Sequence, residues 1–153
     1  MEIDRDPVWP SGRKKMIQEI FRDEPWKLLV GCILLNQTTG TQVKRVIWDL
    51  FQMHPTPESL AAADPGPIAE LIRPLGFYNR RSRSLIRFAQ SWLGQWSDPR
   101  ELHGIGRYAH DSWLIFIEGR SDVEVTDKVL TRYLNEGWRR DSVATSLILD
   151  SIA

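Results

Sequence analysis

LHGIGRYA, at residues 102–109, places two glycines two positions apart, with an isoleucine between them and helical sequence directly after. Glycine accepts positive φ and lets another backbone approach closely, which suits a tight hairpin between two helices. A helix that begins just after such a hairpin points unpaired N–H groups outwards, and these groups can hold a phosphate oxygen. Because ordinary turns also contain glycine pairs, the stretch predicts a helical hairpin and leaves its ligand open.

A second stretch, VEVTD at residues 123–127, follows the hairpin helix and ends in Thr126-Asp127, a pair that carries one carboxylate. Val123 and Val125 alternate as in an extended segment, and Thr126-Asp127 is typical of a turn or a helix start. Asp127 is therefore either a helix-capping residue or a functional carboxylate, and the residues alone leave both interpretations open.

Length and composition are those of one ordinary globular domain, with 153 residues, 42% of them hydrophobic and 26% charged. We predict a single domain over residues 1–153, with residues 1–10 as an N-terminal arm. No apolar run approaches the ~20 residues that span a bilayer, and the acidic N-terminus has no apolar signal core. We expect an intracellular protein without a membrane partner, acting in the cytoplasm or nucleoid, or in a eukaryotic nucleus.

The cysteine and histidine side chains of this sequence are few. Cys32 is its only cysteine, so it cannot hold an intramolecular disulfide or a four-thiolate iron–sulfur cluster. The three histidines, His54, His103 and His110, are too scattered to suggest a metal site. We expect no structural metal and no cofactor.

Charge is balanced overall and uneven along the chain. The formal net charge is zero, which argues against a protein held on nucleic acid by bulk electrostatics. Residues 73–87, however, contain five arginines and no acidic residue. This run is either a solvated helix face or a contact surface for nucleic acid.

Apolar spacing is helical throughout and predicts a compact all-α fold of about ten helices. The run from Trp26 to about Asn36 is apolar nearly all round and should form the central buried helix. The second helix of the hairpin should extend from Tyr108 to Ile117. Polar residues, prolines and a glycine predict where helices begin, at Ser11, Pro25, Thr56, Gly66, Asn79, Asp98 and Asp141.

Four motifs in this order carry a resemblance to a known family. They are DEPWKLL at 23–29, LLNQTTG at 34–40, PLGFY at 74–78 and ELHGIGRY at 101–108, followed by the Asp127 segment. Together they resemble the helix-hairpin-helix DNA glycosylases, in particular the thymine and uracil mismatch glycosylase domain that accompanies a methyl-CpG-binding domain in animals. This sequence contains no methyl-CpG-binding domain.

The resemblance implies that Asp127 is the catalytic carboxylate. Such a group stabilises the oxocarbenium character that develops on the sugar, and it orients or deprotonates the attacking water. Tyr108 occupies the position where bifunctional relatives carry the lysine that forms a Schiff base, a reaction tyrosine cannot perform. Lys128 is the nearest amine that could contradict a monofunctional enzyme, although a backbone or phosphate contact, or a solvated position, is its simpler role.

The resemblance also implies a DNA interface. Gln37 would enter the gap left by the flipped nucleotide and Phe77 would wedge beside it, where the most similar relatives carry Arg and Leu. The alternatives are a helix end for Gln37 and a core position for Phe77. Gln18 and Tyr108 match positions that line the base pocket. The hairpin would bind phosphate through His103, Gly104, Ile105, Gly106 and Arg107. Relatives of this fold often place a monovalent cation against the hairpin carbonyls, and the side chains here leave that open.

The predicted function is that of a monofunctional DNA glycosylase in base excision repair. It would act as a monomer on double-stranded DNA and remove thymine, uracil or related damaged pyrimidines opposite guanine. One alternative is a DNA-base-modifying enzyme of the same fold, of the kind phages use to hypermodify thymine. Another is a non-catalytic DNA-binding module in which Asp127 is structural.

Overall fold

The computed structural model describes residues 2–137, and the predicted all-α fold is confirmed over this range. The described chain contains eight α-helices. They are α1 (Ile17–Ile20), α2 (Pro25–Leu35), α3 (Gly40–Met53), α4 (Pro57–Ala61), α5 (Pro65–Leu71), α6 (Tyr78–Leu93), α7 (Arg107–Ser112) and α8 (Lys128–Arg132). Two 3₁₀ turns lie at Arg73–Leu75 and Pro99–Glu101, and two π-helical turns follow at Trp113–Ile117 and Tyr133–Gly137. The helix predicted to begin at Asp141 falls outside the described residues.

Helix α2 is the central helix, as its apolar sequence predicted. Leu28, Leu29, Val30 and Leu34 have no solvent-exposed surface, and α2 packs against α1, α3, α6 and α7. Gly31 allows α1 to approach closely, because a Cβ at this position would overlap the Cγ2 of Ile17. This close approach places Gln18, the next residue of α1, against the helices that follow the hairpin.

Several predicted helix starts are confirmed. Thr56 and Asp98 accept backbone hydrogen bonds at the N-termini of α4 and the second 3₁₀ turn, and Pro25 opens α2. Helix α5 begins at Pro65, capped by Asp64, and so starts slightly before the predicted Gly66.

Two predicted helix starts are wrong. Ser11 does not cap α1, which begins at Ile17 after Met16, because the Glu19 carboxylate accepts from the Met16 N–H at 3.0 Å. Asn79 lies within α6, whose first turn is preceded by Phe77 in the left-handed conformation. Asn79 is of a residue type that often caps helices, but the residue that precedes α6 is Phe77, two positions earlier.

The N-terminal arm is held against α3 by ion pairs. Arg5 makes two hydrogen bonds to the carboxylate of Asp49, the shorter at 2.7 Å, and Lys44 contacts Asp6 at 2.9 Å. The arm therefore packs on the same helix whose N-terminus, at Gly40, borders the cleft described below.

Three tryptophans join the two arms of the hairpin. Trp92 and Trp96 precede the hairpin and Trp113 follows it, with ring centroids 6.4 Å apart for Trp92–Trp113 and 6.2 Å for Trp96–Trp113. Such edge-on contacts bury large apolar surfaces. They connect the segment before the hairpin loop (residues 102–106) to the segment after it. Across residues 2–137, no helix is long and apolar enough to cross a membrane.

Candidate nucleic-acid interface and active site

A cleft of about 1260 Å³ opens between the end of α2, the start of α6, the hairpin loop and the start of α8. Most of the residues singled out from the sequence line this cleft although they are far apart in the chain. They are Gln18, Gln37, Phe77, Gly104, Gly106, Arg107, Tyr108 and Asp127. His103, Ile105 and Lys128 are not part of its lining.

Asp127 both caps α8 and faces the cleft. Its Oδ2 accepts hydrogen bonds from the N–H groups of Val129 and Leu130, each at 2.9 Å. Its Oδ1 has no hydrogen-bond partner within residues 2–137. The two interpretations left open by the sequence are therefore compatible, since one carboxylate oxygen fixes the side chain and the other is available to a ligand.

Tyr108 and Gln18 form a hydrogen-bonded pair in the same cleft. Gln18 is buried, and its Nε2 donates to Tyr108 Oη at 2.6 Å and to Ser112 Oγ at 3.2 Å. Within residues 2–137 no hydrogen bond engages Gln18 Oε1, so this oxygen is left as the free acceptor of the group. Burial is the main cause that raises the pKa of the Tyr108 phenol above its ordinary value, so the hydroxyl stays protonated at neutral pH.

Next to this pair lies Cys32, whose side chain is buried. Its thiol is hydrogen-bonded with Ser112, and burial raises the pKa of the thiol to about 12. The thiol is therefore protonated and unreactive at neutral pH. Ser112 has no exposed surface and connects Cys32 to the Gln18 amide. Sequence analysis did not single out Ser112, since nothing local separates it from other helical serines.

Gln37 and Phe77 share an unusual backbone conformation. They are the two non-glycine residues with positive φ in the described part of the chain, at 60° for Gln37 and 48° for Phe77. This region is costly for residues with a side chain and is found where surrounding structure or function requires it. Phe77 is 63% exposed, so the alternative interpretation of Phe77 as a core residue is wrong. Gln37 is exposed directly after α2, so it does occupy a helix end, with its side chain at the cleft.

Arg81 holds the loop that carries Gln37. Its Nη1 donates to the carbonyl of Leu34 at 3.0 Å and its Nη2 to the carbonyl of Asn36 at 2.7 Å. Thr38 Oγ1 also donates to the Leu34 carbonyl. These bonds satisfy carbonyls left open at the C-terminus of α2. Arg81 belongs to the arginine run at residues 73–87, but its side chain is buried and its hydrogen bonds have a structural role.

The hairpin loop engages some of its backbone groups internally. The N–H of His103 donates to Ser91 Oγ at 3.0 Å, and the N–H of Ile105 donates to the Leu102 carbonyl at 3.3 Å. Ile105 is also buried by its side chain. Gly104 has φ +83° and packs against Ile33 and Ser84, a position where a side chain would be strained. Within residues 2–137, the N–H groups of Gly104 and Gly106 donate no hydrogen bond to an internal acceptor, so they are the available donors of the loop.

Arg107 links the hairpin to the segment before Asp127. Its Nη2 donates to the Glu124 carbonyl at 3.1 Å, and its Nε lies 3.6 Å from Asp111 Oδ2. These contacts position the 123–127 segment beside the first turn of α7. Lys128, the next residue after Asp127, is exposed and does not line the cleft.

Metal ligands are not clustered in the described part of the chain, where no group of three or more His, Cys, Asp or Glu side chains could hold an ion. A monovalent cation held by backbone carbonyls would not require such a group. The carbonyls of His103 and Ile105 accept no backbone hydrogen bond within residues 2–137 and are chemically suited to that role.

The family is established by comparison with known proteins. Residues 30–145 match the HhH-GPD superfamily of base excision DNA repair proteins. This range covers most of the chain and includes the cleft residues from Gln37 to Asp127. The chain therefore belongs to the HhH-GPD superfamily, as its four motifs and its helical hairpin indicated.

Two relatives are similar over most of this chain. It is 35% identical over 132 residues to a methyl-CpG-binding domain protein 4-like protein of Arabidopsis thaliana, covering 84% of this chain and 30% of that protein. It is 33% identical over 119 residues to a thymine-DNA glycosylase of Aeropyrum pernix, covering 72% of this chain and 53% of that protein. The chain thus spans between about a third and about half of the length of these relatives.

A solved structure supports the fold. A thermostable thymine-DNA glycosylase superposes with a TM-score of 0.64 at 23% identity, covering 77% of this chain and 58% of that one. At this identity the likeness concerns the arrangement of helices.

Proposed function

We propose that this protein is a monofunctional DNA glycosylase that removes thymine or uracil opposite guanine, as the first step of base excision repair. The observation that carries the proposal is that Asp127, whose Oδ1 has no hydrogen-bond partner within residues 2–137, lines the same cleft as the Gln18–Tyr108 pair. A carboxylate and a polar base pocket are the two parts that hydrolysis of an N-glycosidic bond needs. In this proposal the protein acts inside the cell, as a single-domain monomer, on double-stranded DNA.

Asp127 would act on the sugar. Positive charge develops on the deoxyribose as the base departs, and a carboxylate beside it stabilises that charge. The two N–H groups that hold Oδ2 keep the side chain in place and leave Oδ1 for the sugar or the attacking water. Such preorganisation is effective because the group does not need to reorient during the reaction.

Gln18 and Tyr108 would read the flipped base. Thymine and uracil both carry an imide N3–H donor, and the free Oε1 of Gln18 is the matching acceptor. Ser112 and Tyr108 supply the two acceptors that hold the Gln18 amide in this orientation. The neutral Tyr108 hydroxyl completes a pocket that distinguishes bases by hydrogen bonding.

The absence of lyase activity is proposed from residue chemistry. A lyase step needs an amine nucleophile that attacks the sugar, and Tyr108 cannot form a Schiff base. Lys128 follows Asp127 but lies outside the cleft lining. Of the lysines that do line the cleft, Lys14 and Lys44 are ion-paired with Asp6. The third, Lys15, places its amine over the Trp9 ring, 4.6 Å from the ring centroid. The product would therefore be an intact strand with an abasic site.

Gln37 and Phe77 would occupy the duplex after the nucleotide has rotated out. Both are exposed at the cleft, and both have a left-handed backbone conformation. The hairpin donors at Gly104 and Gly106, with Arg107, would bind phosphate, and a monovalent cation against the loop carbonyls would add to that contact. The internally bonded N–H groups of His103 and Ile105 make them supporting residues of the loop in this proposal.

The function is tested by single-turnover incubation with labelled duplexes that contain G·T, G·U, A·U or A·T pairs. Each sample is divided between gentle handling and hot alkali before electrophoresis. We expect strand breaks only after alkali, and only for G·T and G·U. Breaks without alkali would contradict the monofunctional mechanism, and no breaks on any duplex would favour base modification or plain DNA binding.

Tyr108→Phe should slow base release from a G·U duplex by about 3- to 10-fold. The substitution keeps the ring and removes one hydroxyl acceptor of the Gln18 amide, and a hydrogen bond of this kind contributes about 0.5–1.5 kcal/mol. The measurement is the single-turnover rate at saturating enzyme. Tyr133→Phe is the matched control, because its hydroxyl accepts from Arg22 at 2.7 Å outside the cleft. Equal rates for the two variants would contradict a role of the Tyr108 hydroxyl in the base pocket.

A further inference from the structure

The long helix α6 carries three exposed arginines on one face. Arg80, Arg83 and Arg87 have the i, i+3, i+7 spacing that places side chains along one side of a helix. At about 1.5 Å per residue they extend over about 10 Å. We call these three residues the arginine stripe.

The stripe is unpaired, unlike other arginines of the molecule. Arg73, Arg100 and Arg120 contact the carboxylates of Glu70, Asp98 and Asp122, whereas Arg80, Arg83 and Arg87 make no ion pair within residues 2–137. The sequence from 71 to 97 contains no acidic residue at all. The surface charge of α6 is therefore uncompensated in a chain whose formal net charge is zero.

The stripe also lies beside the proposed DNA interface. Arg80 and Ser84 line the cleft, and Ser84 Oγ lies against Gly104 of the hairpin loop. Further along the same helix, Ser91 Oγ accepts from the His103 N–H. The face of α6 that carries the stripe thus runs from the cleft along the hairpin loop, which excludes the interpretation of a solvated face remote from the site.

We propose that the arginine stripe binds the phosphate backbone of the DNA strand that leaves the cleft beside the hairpin loop. One guanidinium group can donate two parallel hydrogen bonds to one phosphate group. A span of about 10 Å matches about three nucleotides of one strand at 3.4 Å each. The stripe would supply sequence-independent affinity that the neutral molecule as a whole does not provide. This inference rests on the proposed function only in that the ligand of the cleft is duplex DNA.

The test is the salt dependence of binding to an undamaged fluorescent duplex between about 50 and 200 mM salt. Arg80→Gln, Arg83→Gln and Arg87→Gln should each reduce the slope of log K against log salt by about 0.9, because each removes one phosphate contact. Arg83→Lys should retain the slope, since the charge remains. Arg120→Gln is the control, because this arginine lies after the end of the hairpin helix and is paired with Asp122.

Unchanged slopes in all three Gln variants would overturn the proposal, and so would an equal decrease in Arg120→Gln. All substituted side chains are exposed, and unchanged circular dichroism and thermal unfolding verify folding. Since binding to undamaged DNA needs no excision, failure of the proposed function would appear separately, as no base release by the unaltered protein on any mismatch.

Discussion

Asp127→Asn should reduce base release from a G·U duplex by at least about 100- to 1000-fold, the size of effect seen when one electrostatic group of an active site is removed. The substitution keeps the shape of the side chain and removes its negative charge, so the developing charge on the sugar loses its partner. The measurement is the single-turnover rate, followed by cleavage of the abasic product with alkali.

The fold of this variant should be retained, because Asn caps helices about as well as Asp. The oxygen that accepts from Val129 and Leu130 is present in both side chains. Duplex binding and thermal unfolding should therefore match those of the unaltered protein. Glu124→Gln is the control, since it neutralises an exposed carboxylate in the same segment without touching the cleft lining. A rate of Asp127→Asn above a tenth of the unaltered one would argue against Asp127 as the main stabilising group.

Arg81→Met should lower the free energy of unfolding by about 2 kcal/mol, which corresponds to about 4–8 °C in melting temperature for a chain of this size. Methionine retains the apolar stem of the side chain and loses the guanidinium that donates to the Leu34 and Asn36 carbonyls. The measurement is thermal and denaturant unfolding. Because these bonds hold the loop of Gln37, binding to a G·U duplex should weaken as well.

Arg80→Met is the matched control for stability. Arg80 precedes Arg81 on the same helix, but it is exposed and makes no ion pair within the described residues. Exposed substitutions of this kind usually change stability by less than about 0.5 kcal/mol. Equal losses in the two variants would show that the Arg81 bonds contribute little to the fold.

Much of the fold was predictable because its signals are local. The apolar run of α2, the capping residues Thr56 and Asp98, and the glycines of the hairpin loop each act within a few residues of themselves. Ser11 and Asn79 have the residue types of helix caps, yet the helices begin elsewhere. Glu19 sets the start of α1 through its own contacts, and the loop at Phe77 sets the start of α6.

The candidate site was predictable in membership and less so in the role of each residue. The motifs indicated Gln37, Phe77, Tyr108 and Asp127, which all line one cleft. Whether an individual N–H or carboxylate oxygen is free depends on neighbours remote in the chain. For example, the N–H of His103 is engaged by Ser91 of α6, a contact that no local pattern indicates.

By itself, the sequence determined the helical class, the hairpin and the superfamily, because periodicity, capping and motif order are properties of short segments. Only the tertiary structure separated Arg81 from Arg80, two adjacent and identical residue types. One step of a helix turns the side chain by about 100°, which placed Arg81 under the Gln37 loop and left Arg80 in solvent at the cleft. Which side chains are buried, and which groups bond to each other, depends on which elements pack together. That packing brings residues 18, 37, 77, 108 and 127 to a single cleft.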